Sequence, residues 1–150
     1  MLYWNVLTIR VICVGGITDY YATAISKYEK RLRRYCKFEI IPANAREDDL
    51  RGQIAAIRAQ TKGHIILCDI DGELISSEGL AQRIDKLSQN TSTITFIIGG
   101  SDGVGDMLND VVHERISFGK ITLPHQLFRV ALVEQIYRAF TILRGEKYHK

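Results

Sequence analysis

The sequence predicts an α/β protein with a mainly parallel sheet and helices on both faces. Two observations carry this prediction: short runs of β-branched residues alternate with amphipathic segments, and most of the runs end at glycine or proline. Strands that alternate with helices imply right-handed crossovers between parallel strands. The chain of 150 residues has the usual size of one domain. It contains no linker, internal repeat or low-complexity tract, so we expect a single domain over residues 1–150.

Each strand is predicted from an apolar run that leads to a turn or loop signal. The first run ends at Gly15, the second is expected to stop at Pro42, and the third leads to a turn at Asp71 and Gly72. The fourth run leads directly into a glycine loop. The five predicted strands cover residues 9–14, 38–41, 64–70, 91–98 and 116–118.

The helices are predicted mainly from apolar residues that recur every three or four positions. Ser76 or Ser77 is suited to cap the third helix, and Pro124 stands where the last one begins. The last helix is apolar around most of its circumference. We therefore expect it to be buried on more than one face, with a second copy of the chain covering the outer face. The predicted helices cover residues 20–34, 48–60, 77–88, 104–114 and 124–143.

Composition excludes several classes of protein. No apolar run reaches the roughly 18 to 20 residues that a membrane span needs, and residues 1–8 lack the features of a secretory signal. We expect a cytoplasmic protein in which residues 1–8 are an N-terminal extension. The three cysteines fit no zinc pattern, and no grouping of side chains suggests a metal site.

The net charge of +3 is unevenly distributed. Residues 27–37 hold six basic residues and one acid, and residues 115–150 hold seven basic residues and two acids. Such clusters attract phosphate backbones, although they are also typical of solvated faces.

Two glycine-bearing loops follow predicted strands, at residues 99–105 and 118–123. Glycine at the carboxyl end of a strand lets a ligand lie against bare backbone, and ligands bind at this end of an open α/β sheet. The first loop is neither a Rossmann fingerprint nor a P-loop, which disfavours a nucleotide-binding enzyme of those kinds. Standing alone it would also fit an ordinary turn, but the second loop favours a ligand site.

Several separated segments, in the right order and spacing, resemble the RlmH family of SPOUT-class methyltransferases. The residues that carry the resemblance are 97–100, 123–126, Arg129, 134–140 and the closing residues 144–150. The resemblance spans Ile9 to Lys150. It implies a C-terminal trefoil knot, a homodimer and S-adenosylmethionine-dependent methylation of N3 of a pseudouridine in 23S ribosomal RNA. An alternative is a non-catalytic ribosome-assembly or RNA-binding protein of the same fold.

The resemblance also implies where S-adenosylmethionine binds. Two adjacent loops with free backbone groups suit a neutral ring such as adenine, which backbone N–H and C=O groups can read. Many family members have serine where Gly119 stands, and glycine keeps the backbone contacts while removing one hydroxyl. The implied cofactor residues are Leu67, Gly99, Phe118, Gly119, Lys120, Ile121, Thr122 and Leu123.

Substrate chemistry requires a further group. N3 of pseudouridine carries a proton at neutral pH, so a general base or a cation that stabilises developing negative charge is expected. The available side chains are His125, Arg129, Arg138, Tyr148 and His149. Other roles remain open for three of them: His125 as a first-turn helix residue, Arg138 as an ion-pair partner of Glu134, and the tail with Tyr148 as a disordered end.

Overall fold

The structure, a computed structural model, describes residues 6–100 and 103–150. Positions 101 and 102 of the first glycine loop and the first five residues of the expected extension lie outside the described residues. The elements in chain order are β1 (Thr8–Val14), α1 (Asp19–Leu32), β2 (Lys37–Ala43), α2 (Leu50–Gln60), β3 (His64–Leu74), α3 (Ser77–Ser88), β4 (Thr93–Ile98), β5 (Glu114–Ser117) and α4 (His125–Leu143).

The five strands form one sheet in the order β2-β1-β4-β3-β5, and every neighbouring pair is parallel. The α/β class with a mainly parallel sheet is therefore confirmed. All strands point the same way, so their carboxyl ends lie together at one end of the sheet. We call this end the carboxyl edge, as distinct from the edge strands β2 and β5. The opposite edge, where the strands begin, is the amino edge.

Helices cover both faces of the sheet, as predicted. On one face, α1, α3 and α4 bury a large apolar cluster that includes Leu32, Ile84 and Phe140. On the other face, α2 contributes Ile54 and Ile57 to a smaller cluster. The sheet is thus the middle of three layers, and its loops are left free at the two edges.

Two strands are longer than the sequence predicted. Pro42 does not end β2, which continues to Ala43. Since β2 is an edge strand, its proline need not donate a ladder hydrogen bond. Strand β3 likewise runs through Gly72 to Leu74, with a register shift against β5 between Cys68 and Glu73. A Cβ on Gly72 would lie 2.8 Å from backbone atoms of Ile116, so the close approach of β5 requires glycine here.

The prediction of a helix over residues 104–114 was wrong. These residues form successive turns, with hydrogen bonds from Met107 N–H to Val104 and from Val111 N–H to Leu108 at 3.2 and 3.0 Å. Positive φ angles at Gly103 and Gly105 are incompatible with a regular helix start. Val104 and Leu108 still bury their side chains beside α2, which explains the apolar spacing that suggested a helix.

Helix α4 lies between α1 and α3 on the sheet. Leu132, Ile136, Ala139 and Phe140 are fully buried within the single chain. Much of the apolar surface that suggested a second copy is therefore covered by α1 and α3. The side chains that remain outward on α4 include Leu127, which is exposed, and Val130 and Ala131, which are half-buried.

Leu7 and Thr8 belong to the folded core, although the sequence prediction placed them in the extension. Leu7 is fully buried and Thr8 begins β1. Within residues 6–100 and 103–150, no helix is long and apolar enough to cross a membrane.

Candidate functional site

Exposed apolar side chains concentrate at the carboxyl edge. They lie in the loop after β1, at the starts of α1 and α4, in the extension of β3 and in the loop after β5. The set is Ile17, Tyr20, Ile70, Leu74, Ile121, Leu123 and Leu127. Exposed apolar residues gathered at one end of a folded domain mark a candidate binding surface. By contrast, two surface depressions lie along the outer sides of α1 and α2, away from these loops.

The loop after β5 is the most open of these segments. Ile121 is 82% exposed, and a Cβ on Gly119 would have no atom within 4 Å. Gly119 has a φ of 132°, a conformation that favours glycine. The Ser117 hydroxyl accepts a hydrogen bond from Gly119 N–H at 3.1 Å and so fixes the start of the loop. The backbone groups of residues 120–123 make no hydrogen bond to other described residues, which leaves them available to a ligand.

The loop after β4 lies next to the ends of β1 and β3, because β4 is the central strand. A Cβ on Gly99 would lie 3.1 Å from a methyl group of Val104. The side-chain direction of Gly99 therefore points into the turn that follows. Leu67 is buried in the cluster under α2 and is level with Ile97, so its side chain lies in the core.

His125 and Arg129 lie on the first two turns of α4, beside the end of β1. The Arg129 guanidinium donates to the carbonyls of Val14 and Gly15, both at 3.2 Å, and its Nε has no partner among the described residues. Arg129 is only 4% exposed. The His125 Nε2 lies 3.7 Å from Glu47 Oε1. Arg129 therefore holds the shape of the β1 loop at the carboxyl edge.

Arg138, Tyr148 and His149 form a second group on the outer side of α4. Arg138 bonds Glu134 at 2.8 Å, which confirms the ion pair that the spacing suggested. The Tyr148 hydroxyl donates to Glu134 at 2.8 Å. The Arg138 guanidinium lies 4.8 Å from the Tyr148 ring centre and is also 3.1 Å from His149 Nδ1.

The tail is therefore packed against the protein in this structure. His149 Nε2 lies 2.6 Å from Glu78 at the start of α3. Since Arg138 can only donate to Nδ1, the contacts favour a His149 ring with its proton on Nε2, shared with Glu78. Burial, together with hydrogen bonds involving Tyr28 and Glu134, raises the pKa of Tyr148, so this phenol stays protonated and can donate at neutral pH.

The structure thus separates the predicted residues into two groups. The carboxyl edge collects Gly99, residues 118–123, His125 and Arg129. The tail group contains Arg138, Tyr148 and His149, and within the described chain no hydrogen bond or ion pair joins it to residues 118–123.

Sequence reasoning missed Glu78 and Glu134 as partners of the tail. Glu134 was considered only for its i,i+4 spacing to Arg138, and no spacing rule connects Glu78 with His149. Gly15 was also missed, although its position directly after β1 was a usable signal. Within residues 6–100 and 103–150, no group of three or more His, Cys, Asp or Glu side chains could hold a metal ion.

A family model described as a predicted SPOUT methyltransferase matches residues 7–149. The chain belongs to this family, and membership implies that the C-terminal part is tied in a trefoil knot.

Two relatives cover nearly the whole chain. The ribosomal RNA large subunit methyltransferase H of Latilactobacillus sakei subsp. sakei (strain 23K) is 43% identical over an alignment of 159 positions, which covers 96% of this chain and 100% of the relative. The protein of the same description in Bacillus pumilus (strain SAFR-032) is 39% identical, with the same coverage.

Proposed function

We propose that this protein is an S-adenosylmethionine-dependent methyltransferase that modifies N3 of a pseudouridine in large-subunit ribosomal RNA. Membership in the SPOUT methyltransferase family and the description of both relatives as large-subunit rRNA methyltransferases support the activity. One observation supports the proposed position of the site: glycine loops, free backbone groups and exposed apolar side chains all lie at the carboxyl edge. Its setting would be the cytoplasm, where ribosomes are made.

The residues present fit the proposed cofactor. Residues 120–123 offer backbone donors and acceptors with no partner among the described residues for an adenine ring, and the exposed side chains of Ile121 and Leu123 can cover its faces. The open space at Gly119 leaves room for a ligand against the backbone. Gly99 would contribute the wall formed by β4. When bound, S-adenosylmethionine would supply an already activated methyl group.

The task left to the protein is to orient the nucleotide and to manage its proton. N3 of pseudouridine becomes a good nucleophile when its proton leaves, and nearby donors stabilise the charge that develops on the ring oxygens. Tyr148 could donate its hydroxyl hydrogen to the nucleotide after releasing Glu134, to which it donates at 2.8 Å. The Arg138 guanidinium is permanently charged and suits a developing oxyanion.

His149 is our candidate for taking the proton. Both of its ring nitrogens are engaged, by Arg138 and Glu78, so it must release one of these contacts before it can accept. His125, beside Gly15 at the carboxyl edge, is the second candidate. Arg129 acts as a positioning residue, since its guanidinium is buried against the carbonyls of the β1 loop.

The separation of the two groups supports a homodimer in which the tail of one copy completes the carboxyl edge of the other. Leu127 and Tyr20, both exposed near this edge, suit the contact between copies. Sedimentation equilibrium at micromolar concentration tests the dimer directly, and a monomer mass would contradict it.

The activity is tested by two measurements on the intact protein. Titration calorimetry should show binding of S-adenosylmethionine. Mass spectrometry of rRNA from ribosomes incubated with protein and cofactor should show one added methyl on a pseudouridine. Cofactor binding without methylation, under conditions that support related enzymes, would favour the non-catalytic alternative.

A further inference from the structure

Two basic segments that are far apart in sequence form one surface. The C-terminal half of α1 and the residues just after it carry Lys27, Arg31 and Arg34, and the end of α4 carries Arg144. The fold joins them through Tyr35, because the Arg34 and Arg144 guanidiniums lie 5.3 and 5.0 Å from the centre of its ring. We call these four side chains the cationic row.

Aromatic rings order much of this row. Lys27 and Arg31 lie 5.9 and 5.8 Å from the Tyr28 ring centre, and Arg31 is also 5.5 Å from that of Tyr137. Contact with a ring face attracts a cation without neutralising its charge. Within residues 6–100 and 103–150, Lys27, Arg31 and Arg144 make no ion pair, so no neighbouring carboxylate neutralises their charge.

Of the acidic residues near the row, Glu146 and Glu134 are occupied, whereas Glu29 on α1 makes no ion pair with other described residues. Glu146 accepts the Tyr35 hydroxyl at 2.8 Å and pairs with Arg34 at 3.4 Å. Glu134 is engaged by Arg138 and Tyr148. Further exposed cations, Lys30 and Lys147, extend the same positive surface.

The row is continuous with the tail. The Tyr137 ring that underlies Arg31 meets the Tyr148 ring edge-on, with centres 4.8 Å apart. A nucleic acid whose target base lies near Tyr148 would therefore carry its neighbouring phosphates across Arg31. Arginine binds phosphate through a planar fork of donors, and a pre-ordered guanidinium loses little freedom on binding.

We propose that the cationic row binds the phosphate backbone of the RNA that flanks the target nucleotide. This inference rests on the proposed function for the identity of the RNA. Charge complementarity selects the partner: ordered cations at an aromatic-rich surface, of which only Arg34 has an ion pair among the described residues, suit a polyanion. The row would supply affinity and would leave the choice of the methylated base to the active site.

The test compares variants of equal charge change in their binding to large ribosomal subunits from a strain that lacks its own copy of this enzyme. The test variant combines Arg31→Gln with Arg144→Gln. A second variant, Lys30→Gln with Lys147→Gln, changes two cations that take no part in the ring contacts and so leaves folding unaffected. The matched control combines Arg51→Gln with Lys62→Gln, exposed cations outside the row, on α2 and in the loop after it.

The affinity of the test variant for the subunits should fall about tenfold at moderate salt, and the slope of log K against log[salt] should decrease by roughly 1 for each phosphate that the variant no longer binds. The second variant should change both quantities in the same direction, and the control should change neither. Three results would overturn the proposal: unchanged affinity of both the test variant and the second variant, an equal loss of affinity in the control, or failure of the unmodified protein to bind the subunits.

Methylation is followed in the same samples. If the unmodified protein binds the subunits through the row but transfers no methyl group, the proposed function fails while the RNA surface stands. If the unmodified protein methylates the subunits, and the test variant and the second variant match it in affinity and in KM, the proposed RNA surface is wrong while the proposed function stands.

Discussion

The two edges of the sheet differ in how completely their polar and apolar groups are satisfied. At the amino edge, buried Arg10 pairs with Glu39 at 3.4 Å, Tyr35 bonds Glu146 at 2.8 Å, and Glu114 bonds His64 at 2.6 Å. At the carboxyl edge, the backbone groups of residues 120–123 have no partner among the described residues, and large apolar side chains such as Ile121 are exposed to solvent. The amino edge stabilises the fold, and the carboxyl edge is where we propose that a ligand and a partner bind.

The two edges make different contributions to the free energy of folding. Backbone groups without partners and exposed apolar side chains make the folded protein less stable than a closed, fully bonded loop would. Closed networks such as Glu114 with Arg83 and His64 hold the short strand β5 in place, and β5 leads directly into the open loop. Changes at the two edges should therefore affect different measurements.

The largest effect is expected from deletion of Tyr148 to Lys150. Methylation should fall by about 100-fold or more, the scale of a missing acid–base group, because Tyr148 and His149 are removed together. Affinity for S-adenosylmethionine should stay within a few-fold, since residues 118–123 are untouched. Full activity of the truncated protein in a single-turnover assay would remove the tail from the site.

The second largest effect is expected when each of two glycines is replaced. Both have a positive φ and open space around the position of a Cβ. Gly119 lies in the open loop and Gly145 follows α4 at the amino edge. Alanine at either position should lower the free energy of unfolding by about 1–2 kcal/mol. Only Gly119→Ala should also weaken S-adenosylmethionine binding in calorimetry, by roughly tenfold or about 1.4 kcal/mol. An equal loss of affinity in Gly145→Ala would mean that the cofactor site extends elsewhere.

A smaller effect, on stability alone, is expected at Glu114. Burial alone would raise the pKa of this carboxyl, but hydrogen bonds from Arg83 and His64 lower it overall. Glu114→Gln should lower the free energy of unfolding by about 1–3 kcal/mol and leave cofactor affinity unchanged. Asp48→Asn, which breaks the exposed pair with Arg46, is the control and should change stability by less than about 1 kcal/mol.

The same carboxyl predicts the direction of a pH effect. Its pKa is lower in the folded protein than in the unfolded chain, so the unfolded chain takes up the proton first. The stabilisation by Glu114 is present above the ordinary carboxyl pKa, near 4.3, and is lost as the pH falls below it. Denaturant titrations at pH 7 and pH 4 should show a smaller acid loss in Glu114→Gln than in the unmodified protein.

The sequence predicted the sheet and most helices because local patterns determine them. The cap of α3 at Ser76 was also predictable, since its side chain accepts from Gly79 N–H as a capping serine should. The failures arose where tertiary context decides. Pro42 is tolerated in β2 because that strand lies at an edge, and the bulge in β3 depends on the approach of β5 to Gly72.

The candidate site was less predictable than the fold. Loop positions at strand ends could be predicted from the chain order, which is why residues 118–123 and Gly99 were expected at the carboxyl edge, where they lie. The contact between His149 and Glu78 joins residues 71 positions apart and follows no local pattern. The expected second copy on α4 rested on its apolar circumference, yet α1 and α3 cover most of it.

The most direct test of the central claim mixes two inactive variants. One subunit carries the tail deletion and keeps an intact carboxyl edge, and the other carries Gly119→Val and keeps an intact tail. If the tail of one copy completes the carboxyl edge of the other, the exchanged mixture should recover roughly a quarter of unmodified activity per subunit, since random pairing gives half of the dimers one working site each. A mixture that stays as inactive as its two components, although sedimentation shows that mixed dimers form, would contradict this account.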